Sequence, residues 1–274
     1  MRVAKERGWD SPVGWVVAGS VAATVAARWI IDPDHPGQQR WMRLNHAGNP
    51  VSLIEGVWCA CGTALALAWV DPAGSVVGAC AAVTGAYDDL HPDAERKGLK
   101  GHLSALFRGQ VSPGALKIVG LVATGAIGAI ADGRRSVWDV VLDASVVAAS
   151  ANMINLLDLR PGRALKVTLT AAVPLMRTPH GSRPEAAAAG ACVGAALVLL
   201  PADLAGKTML GDTGANCLGA LLGRSATRGS RTRRSLILGA LSAGTLLSER
   251  VSFSAIIETN PALRALDRWG RSSS

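Results

Sequence analysis

The arrangement of apolar residues along this chain constrains its fold more than any other feature. Ala, Val, Leu and Gly come in blocks of bilayer-spanning length, and charged residues lie mostly between the blocks. Val13 to Ile31 and Val51 to Val70 are the clearest blocks, each about as long as one crossing of a ~30 Å hydrocarbon layer. The sequence therefore predicts an all-α, polytopic membrane helix bundle, with residues 1–274 as one integral membrane domain.

We expect about nine transmembrane helices. An odd number of crossings places the termini on opposite sides and gathers five polar segments on one face, namely residues 32–50, 88–113, 155–163, 202–210 and the tail after 252. The tail, residues 253–274, is expected to be cytoplasmic and amphipathic, able to lie along the membrane surface. The nine helices are expected near residues 12–31, 51–70, 74–87, 114–131, 137–154, 164–176, 186–201, 211–226 and 235–252.

The net charge of +8 would suit nucleic acid, anionic lipid or a phosphorylated substrate. A membrane bundle excludes nucleic acid as a partner and leaves membrane lipid and phosphorylated substrates. Basic residues occur in segments expected on both faces, so their bias does not establish the orientation. The five cysteines lie inside apolar stretches without metal-ligand spacing, and we expect neither disulfides nor zinc.

The first segment with chemical character follows an apolar helix. Asp88 and Asp89 end that helix, and the basic loop after it contains Lys97, Lys100 and His102. Two adjacent carboxylates at a membrane boundary are costly as charges unless a cation compensates them. Mg²⁺ is one such cation, because it takes one or two carboxylates together with substrate phosphates. The alternative is an ordinary acidic helix end in water.

The second segment ends another apolar block, where Asn152, Asn155 and Asp158 recur every three residues. This spacing puts the side chains on roughly one helix face. They could orient a ribose, a base or a metal-bound water, with Arg160 and Arg163 near enough to meet phosphate. Asn side chains also form hydrogen bonds between membrane helices without any ligand, and this alternative stays open.

The third segment is MLGDTGANCLG, in which Asp212 lies in a Gly-flanked turn that opens the eighth expected helix. Gly lets a ligand approach the backbone, and a helix N-terminus favours an anion. A purely local N-cap role is the alternative. All three segments fall on the same expected face, together with Asn45 in NHAGNPV. Three independent structural roles would have to coincide there, so a shared site is the better hypothesis.

In this combination the sequence resembles the polyprenyl-phosphate N-acetylhexosamine-1-phosphate transferase superfamily, the MraY/WecA type of glycosyltransferase family 4. That pattern has an Asp-Asp pair after a helix, an Asn-x-x-Asn-x-x-Asp segment and a Gly-Asp-x-Gly turn. This chain has, in that order, Asp88-Asp89, Asn152-x-x-Asn155-x-x-Asp158 and Gly211-Asp212-Thr213-Gly214.

The resemblance implies an Mg²⁺-dependent phosphoglycosyltransferase at the cytoplasmic face of the cell membrane. Such an enzyme transfers a sugar 1-phosphate from a UDP-sugar to polyprenyl phosphate (undecaprenyl or decaprenyl), releasing UMP, for cell-envelope glycans such as peptidoglycan; a homodimer is left open. The implied catalytic residues are Asp88, Asp89 and Asp212, with Asp212 and Asp88 as metal ligands. Substrate binding would fall to Asn45, Lys97, Lys100, His102, Asn152, Asn155 and Asp158.

Departures from the pattern leave the sugar open. Leu159 stands where Gly is usual, and the C-terminal region has no His where a His-rich loop is usual. The alternative from another class is a membrane transporter or a lipid-binding paralogue without transferase activity. A CDP-alcohol phosphotransferase is disfavoured, because the Asp-Gly-x-x-Ala-Arg signature is absent.

Overall fold

The computed structural model of the chain describes residues 12–32, 35–46, 48–91, 113–176 and 183–271. The fold is mostly helical, as predicted. Within these residues, nine helices of at least 14 residues lie close to the nine expected positions, and two short helices follow in the tail. Their bounds are α1 Pro12–Ile30, α2 Ile54–Leu67, α3 Pro72–Leu90, α4 Pro113–Ala131, α5 Val137–Leu157, α6 Arg163–Met176, α7 Arg183–Leu204, α8 Gly211–Ala226, α9 Arg231–Ser248, α10 Phe253–Thr259 and α11 Pro261–Arg268.

Four of the described helices are both long enough and apolar enough to cross a membrane: α1, α4, α5 and α7. A fifth span results if α9 and α10, which meet at a bend of 91°, are counted as one. This is fewer than the nine spans expected. Helices α2 and α6 have 14 residues each, and at about 1.5 Å per residue they are too short for a ~30 Å hydrocarbon layer. The membrane character of the bundle is therefore supported, while the number of crossings stays a prediction.

Helix α8 lies at the centre of the bundle, packed against α2, α3, α5 and α7. Every residue of α8 from Thr213 to Ser225 is buried. Small residues make this possible, because they let neighbouring backbones approach closely. A Cβ atom added at Gly219 would lie 2.5 Å from the Cα atom of Ala151 in α5. The core is thus built around a helix that touches neighbours on all sides, which explains why α8 needs no lipid-facing apolar surface.

Two glycines from neighbouring helices contact the start of α8. A Cβ atom at Gly56 of α2 would overlap the carbonyl oxygen of Leu210, and one at Gly85 of α3 would overlap that of Asp212. Both helices therefore touch the backbone of the Gly-Asp turn directly. The position of Asp212 is fixed by this packing.

A small hairpin, which the sequence analysis did not predict, closes over the same end of the bundle. Strands β1 (Met42–Leu44) and β2 (Pro50–Ser52) pair antiparallel. The side chain of Asn45 accepts a hydrogen bond from the backbone N–H of Asn49 at 3.0 Å, which shapes the turn. The N–H of Met209, just before α8, donates to the carbonyl of Ser52 at 3.0 Å. The hairpin is therefore attached to the segment that leads into α8.

Buried ion pairs join the loops at the opposite end of α8. The guanidinium of Arg224 donates to Asp132 of the α4–α5 loop at 2.7 Å and to Asp71, the N-cap residue of α3, at 3.0 Å. Arg234 of α9 lies 2.6 Å from Asp143 and 2.7 Å from Asp139 in α5. These carboxylates are matched by arginines, so this end of the bundle is held by internal charge pairing.

The close contact of α8 with α5 predicts a steep cost for one added methyl group. Gly219→Ala should lower the free energy of unfolding by about 1–3 kcal/mol, because its methyl group overlaps backbone atoms of Ala151. The matched control is Gly78→Ala on α3, whose Cβ would meet only side-chain atoms, the nearest at 3.4 Å. It should be neutral or stabilising by up to about 1 kcal/mol, because Ala is the better helix former. Thermal unfolding in detergent measures both; equal effects would contradict the packing described here.

Candidate active site

A cavity of about 620 Å³ opens beside the N-terminus of α8. The hairpin, the ends of α3 and α5 and the start of α4 surround it. Six of the residues selected from the sequence line this cavity, and they come from all three motifs and from the hairpin. They are Asn45, Asp88, Asp89, Asn155, Asp158 and Asp212. The expectation that the motifs converge agrees with the structure. Lys97, Lys100 and His102 lie outside the described residues.

Asp88 and Asp212 share one cation, Lys117 of α4. The Nζ atom of Lys117 lies 2.5 Å from Oδ2 of Asp212 and 3.2 Å from Oδ2 of Asp88. Two carboxylates against one ammonium leave a net negative charge at the cavity. Sequence analysis missed Lys117, although it carried a signal: it is the single charged residue of α4, an otherwise apolar helix. An ionisable residue inside an apolar span is by itself reason to suspect a function.

Asp89 differs from its neighbour Asp88 in what it contacts. Its carboxylate accepts hydrogen bonds from the backbone N–H groups of Asp212 at 3.0 Å and Thr213 at 2.9 Å, and from the Thr213 hydroxyl at 2.6 Å. Leu210, the residue at the N-cap of α8, provides no side-chain cap. Asp89 supplies that cap from another helix, satisfying N–H groups that a helix end leaves without partners. The contacts give Asp89 a positioning role toward Asp212.

Asp158 binds the same helix end. Its Oδ2 accepts from the N–H of Gly211 at 2.9 Å. Burial raises the pKa of the Asp158 carboxyl well above its usual value, and the negative charges of Asp203 and Glu55 raise it further. The N–H groups of residues 211–213 are thus bound by carboxylates of the chain itself. This differs from the expectation that the turn offers a free helix N-terminus to an anionic ligand.

Asn152 does not reach the cavity that Asn155 and Asp158 line. Its Nδ2 atom donates to the hydroxyl of Thr245 in α9 at 3.2 Å. Three residues advance a helix by about 300°, so successive members of a three-residue pattern drift by about 60°. Asn152 and Asp158 are separated by two such steps, enough to point the first Asn toward α9. The placement of all three side chains on one face was therefore too coarse.

A second cavity of about 290 Å³ lies where Asn152 points, between α4, α5 and α9. Most of its lining is apolar, so this cavity is called the apolar groove below, and Lys117 forms part of its wall. The ammonium of Lys117 also contacts Asp88 and Asp212 of the main cavity, so this residue links the two cavities. The lining residues are Lys117, Ile118, Leu121, Ala148, Ala149, Asn152, Ser242, Thr245 and Leu246.

The basic residues after Asp158 meet the tail. Arg163 donates to both carboxylate oxygens of Asp267, at 2.8 and 3.1 Å. Burial raises the pKa of Asp267, but its hydrogen bonds and charge pairing with Arg163 and with Arg271 outweigh burial and hold the pKa below its usual value. Asp267 is therefore ionised at neutral pH. In this structure the Asp267 carboxylate binds Arg163, which the sequence analysis expected to meet a phosphate.

His46 also lines the main cavity, at the tip of the hairpin. Burial lowers the pKa of its imidazole, and the positive charges of Arg160, Arg271 and Arg163 lower it further. His46 is therefore neutral near pH 7 and can accept or donate a hydrogen bond without adding charge.

The carboxylates at the main cavity provide oxygen ligands of the kind that Mg²⁺ binds. The described residues contain no group of three or more His, Cys, Asp or Glu side chains placed to share a metal ion. Asp88 and Asp212 nevertheless supply two carboxylates on one cation, and Mg²⁺ usually takes one or two from a protein and the rest from phosphates and water. The two carboxylates therefore suit a Mg²⁺ ion whose remaining ligands would come from substrate phosphates and water.

Comparisons with known proteins do not assign the chain to a family. No protein-family model matches the chain, and no curated protein sequence is significantly similar to it.

The shared cation predicts a divalent-ion response that can be measured without any substrate. Mg²⁺ should raise the melting temperature of the wild-type protein, with a stabilisation of about 2.7 kcal/mol at a concentration about a hundredfold above its dissociation constant. Asp88→Asn and Asp212→Asn should each lose most of this shift. Lys117→Met should show a larger shift, because no ammonium competes for the carboxylates. Asp139→Asn, at the other end of the bundle, is the control; an unchanged shift in Asp212→Asn would rule out this site.

Proposed function

We propose that this protein is a membrane phosphoglycosyltransferase. It transfers a sugar 1-phosphate, of N-acetylhexosamine type, from a UDP-sugar to polyprenyl phosphate, with Mg²⁺, at the cytoplasmic face of the cell membrane. One observation carries the proposal: Lys117 lines the apolar groove, and its ammonium contacts Asp88 and Asp212, which line the main cavity. These are the two environments that the reaction has to join.

The main cavity suits a nucleotide sugar. Its volume of about 620 Å³ falls in the range of small-molecule sites, roughly 300–1,000 Å³. Asn155 and His46 offer neutral hydrogen-bonding groups on its wall, and Arg43 offers a positive charge. These groups could orient a base, a ribose and a diphosphate.

The second cavity suits a lipid chain. It lies between α4 and α5, both candidate spans, and α9. Ile118, Leu121 and Leu246 give it an apolar wall, while Lys117 stands at the side that faces the carboxylates. A polyprenyl chain in this groove could bring its phosphate against the Lys117 ammonium.

The proposed chemistry forms one phosphorus–oxygen bond and breaks another. An oxygen of polyprenyl phosphate attacks the β-phosphorus of the UDP-sugar, and the bond from that phosphorus to the bridging oxygen breaks, releasing UMP. Mg²⁺ held by Asp88 and Asp212 would supply charge neutralisation for the diphosphate and the leaving group. Lys117, on its flexible stem, turns from the carboxylates to the acceptor phosphate and offsets its negative charge.

Asp88 is the better candidate than Asp89 for taking the proton that the acceptor phosphate still carries. Asp89 has both carboxylate oxygens bound to the start of α8. Asp88 contacts Lys117 through one oxygen and lines the cavity. A covalent aspartyl-phosphosugar intermediate is the rival mechanism, and Asp88 would be its nucleophile as well.

The first experiment is UMP release by the purified protein with undecaprenyl phosphate, Mg²⁺ and a panel of UDP-sugars. We expect release that requires both lipid and metal, and that falls by at least about a hundredfold in Asp212→Asn and Lys117→Met. Asp139→Asn should retain wild-type activity. Normal activity in Asp212→Asn would refute the mechanism. Binding of polyprenyl phosphate without UMP release from any donor would favour the lipid-binding alternative.

The groove makes a separate prediction about the acceptor. Ala149→Phe fills the groove, so it should raise the KM for polyprenyl phosphate by about tenfold, equivalent to about 1.4 kcal/mol, and leave the KM for the UDP-sugar unchanged. Val141→Phe, at an exposed position on the same helix, is the matched control and should change neither constant. Equal effects on the two substrates would argue against the groove as the acceptor site.

A further inference from the structure

The tail leaves the bundle at a sharp angle. Helix α9 packs on α5, and α10 begins after a bend of 91°. Helix α10 therefore runs nearly perpendicular to α9. The exposed side chains of Leu246, Leu247 and Val251 lead up to this bend. Exposed apolar side chains therefore reach the point where the tail begins.

Helix α11 separates apolar from charged residues almost completely. At about 100° per residue, its apolar residues fall within an arc of about 160°, and its charged residues lie on the remaining side. The large apolar side chains are exposed: Leu263 by 42%, Leu266 by 65% and Trp269 by 73%. No other described element covers this face. Exposing a Trp and two Leu together on one side of a short helix indicates that another surface binds there.

The charged side of α11 is held firmly on the bundle. Asp267 pairs with Arg163 through both carboxylate oxygens. Lys166 donates to the carbonyls of Leu266, Asp267 and Trp269 at 3.1, 2.8 and 2.8 Å, and so binds the C-terminal end of the helix. These contacts fix the rotation of α11. The apolar face is consequently turned away from the protein by its own polar anchors.

We propose that α11 is an interfacial helix, whose apolar face rests on the lipid bilayer at the end of the bundle that carries the main cavity. The chemistry favours an anionic bilayer. Arg264 and Arg268 are exposed on the polar side of the helix, opposite the apolar face. This is the pattern of helices that bury apolar side chains below the headgroups and are attracted to anionic lipids by basic residues on their polar face. This inference does not depend on the transferase activity.

A second copy of the chain fits the same face less well. A stable protein interface buries about 800 Å² on each partner, far more than three large side chains on a helix of eight residues offer. A bilayer requires no such minimum area.

Amide hydrogen exchange of the full-length protein in lipid nanodiscs tests the proposal. A helix of eight residues is unstable alone, so slow exchange in residues 261–269 reports that the helix is bound. The nanodiscs contain phosphatidylcholine alone or with phosphatidylglycerol. The test variant is Leu263→Ser/Leu266→Ser/Trp269→Ser, which leaves the contacts of Asp267 in place. The matched control is Leu236→Ser, an exposed apolar residue on α9. Unchanged exchange in the bundle shows that each variant is folded.

We expect exchange of α11 in anionic nanodiscs to be at least about tenfold faster in the triple variant than in the wild type, and unchanged in the control. Arg264→Gln/Arg268→Gln should remove the difference between anionic and neutral nanodiscs. Brominated lipids should quench a component of the fluorescence that disappears in Trp269→Phe. Equal exchange in the wild type and the triple variant would overturn the proposal. Protection that appears only in nanodiscs holding two copies would also overturn it and assign the face to self-association.

Discussion

The N-terminus of α8 is the point on which the candidate site depends. Its first backbone N–H groups are bound by carboxylates from two other helix ends, Asp158 after α5 and Asp89 at the end of α3. Glycines in α2 and α3 bring those helices against the same turn. Because the helix end is capped from outside, Asp212 is held toward the cavity with its own carboxylate available to Lys117. Removing either cap would leave buried N–H groups without partners, which is costly.

The two ends of α8 use charge in different ways. At the far end, Arg224 binds two aspartates with its planar guanidinium, and Arg234 does the same in α9. Such contacts fix the geometry of the aspartates, and they suit a structural role. At the cavity, two carboxylates share a single lysine, whose flexible stem allows it to exchange partners. The negative charge left there is what a metal ion or a protonated group would compensate, and this contrast supports placing the chemistry at the Asp212 end.

In the proposed function, the same few residues would serve both a water-soluble and a lipid-soluble reactant. Lys117 lines the apolar groove and contacts Asp88 and Asp212 of the main cavity. Arg163, which begins α6 shortly after Asp158, binds Asp267 of α11. The apolar groove and the candidate spans α4 and α5 therefore lie next to the carboxylates of the main cavity. A bilayer bound by α11 would lie next to the loop whose Asp158 caps α8.

The sequence by itself determined the helical bundle, the approximate positions of its nine long helices and the convergence of Asp88, Asn155, Asp158 and Asp212. Apolar blocks and motif residues at helix ends are features of the local sequence, and they can be recognised without knowing how distant segments pack. The sequence also indicated Lys117, as the one charged residue in an apolar helix, but the sequence analysis did not select it. Only the tertiary structure decided that Asp88 faces the cavity while Asp89 caps α8. It also decided that Asn152 turns toward α9 and that Asp267 pairs with Arg163. Adjacent residues on a helix point about 100° apart, and which partner each one meets depends on how helices distant in sequence approach each other.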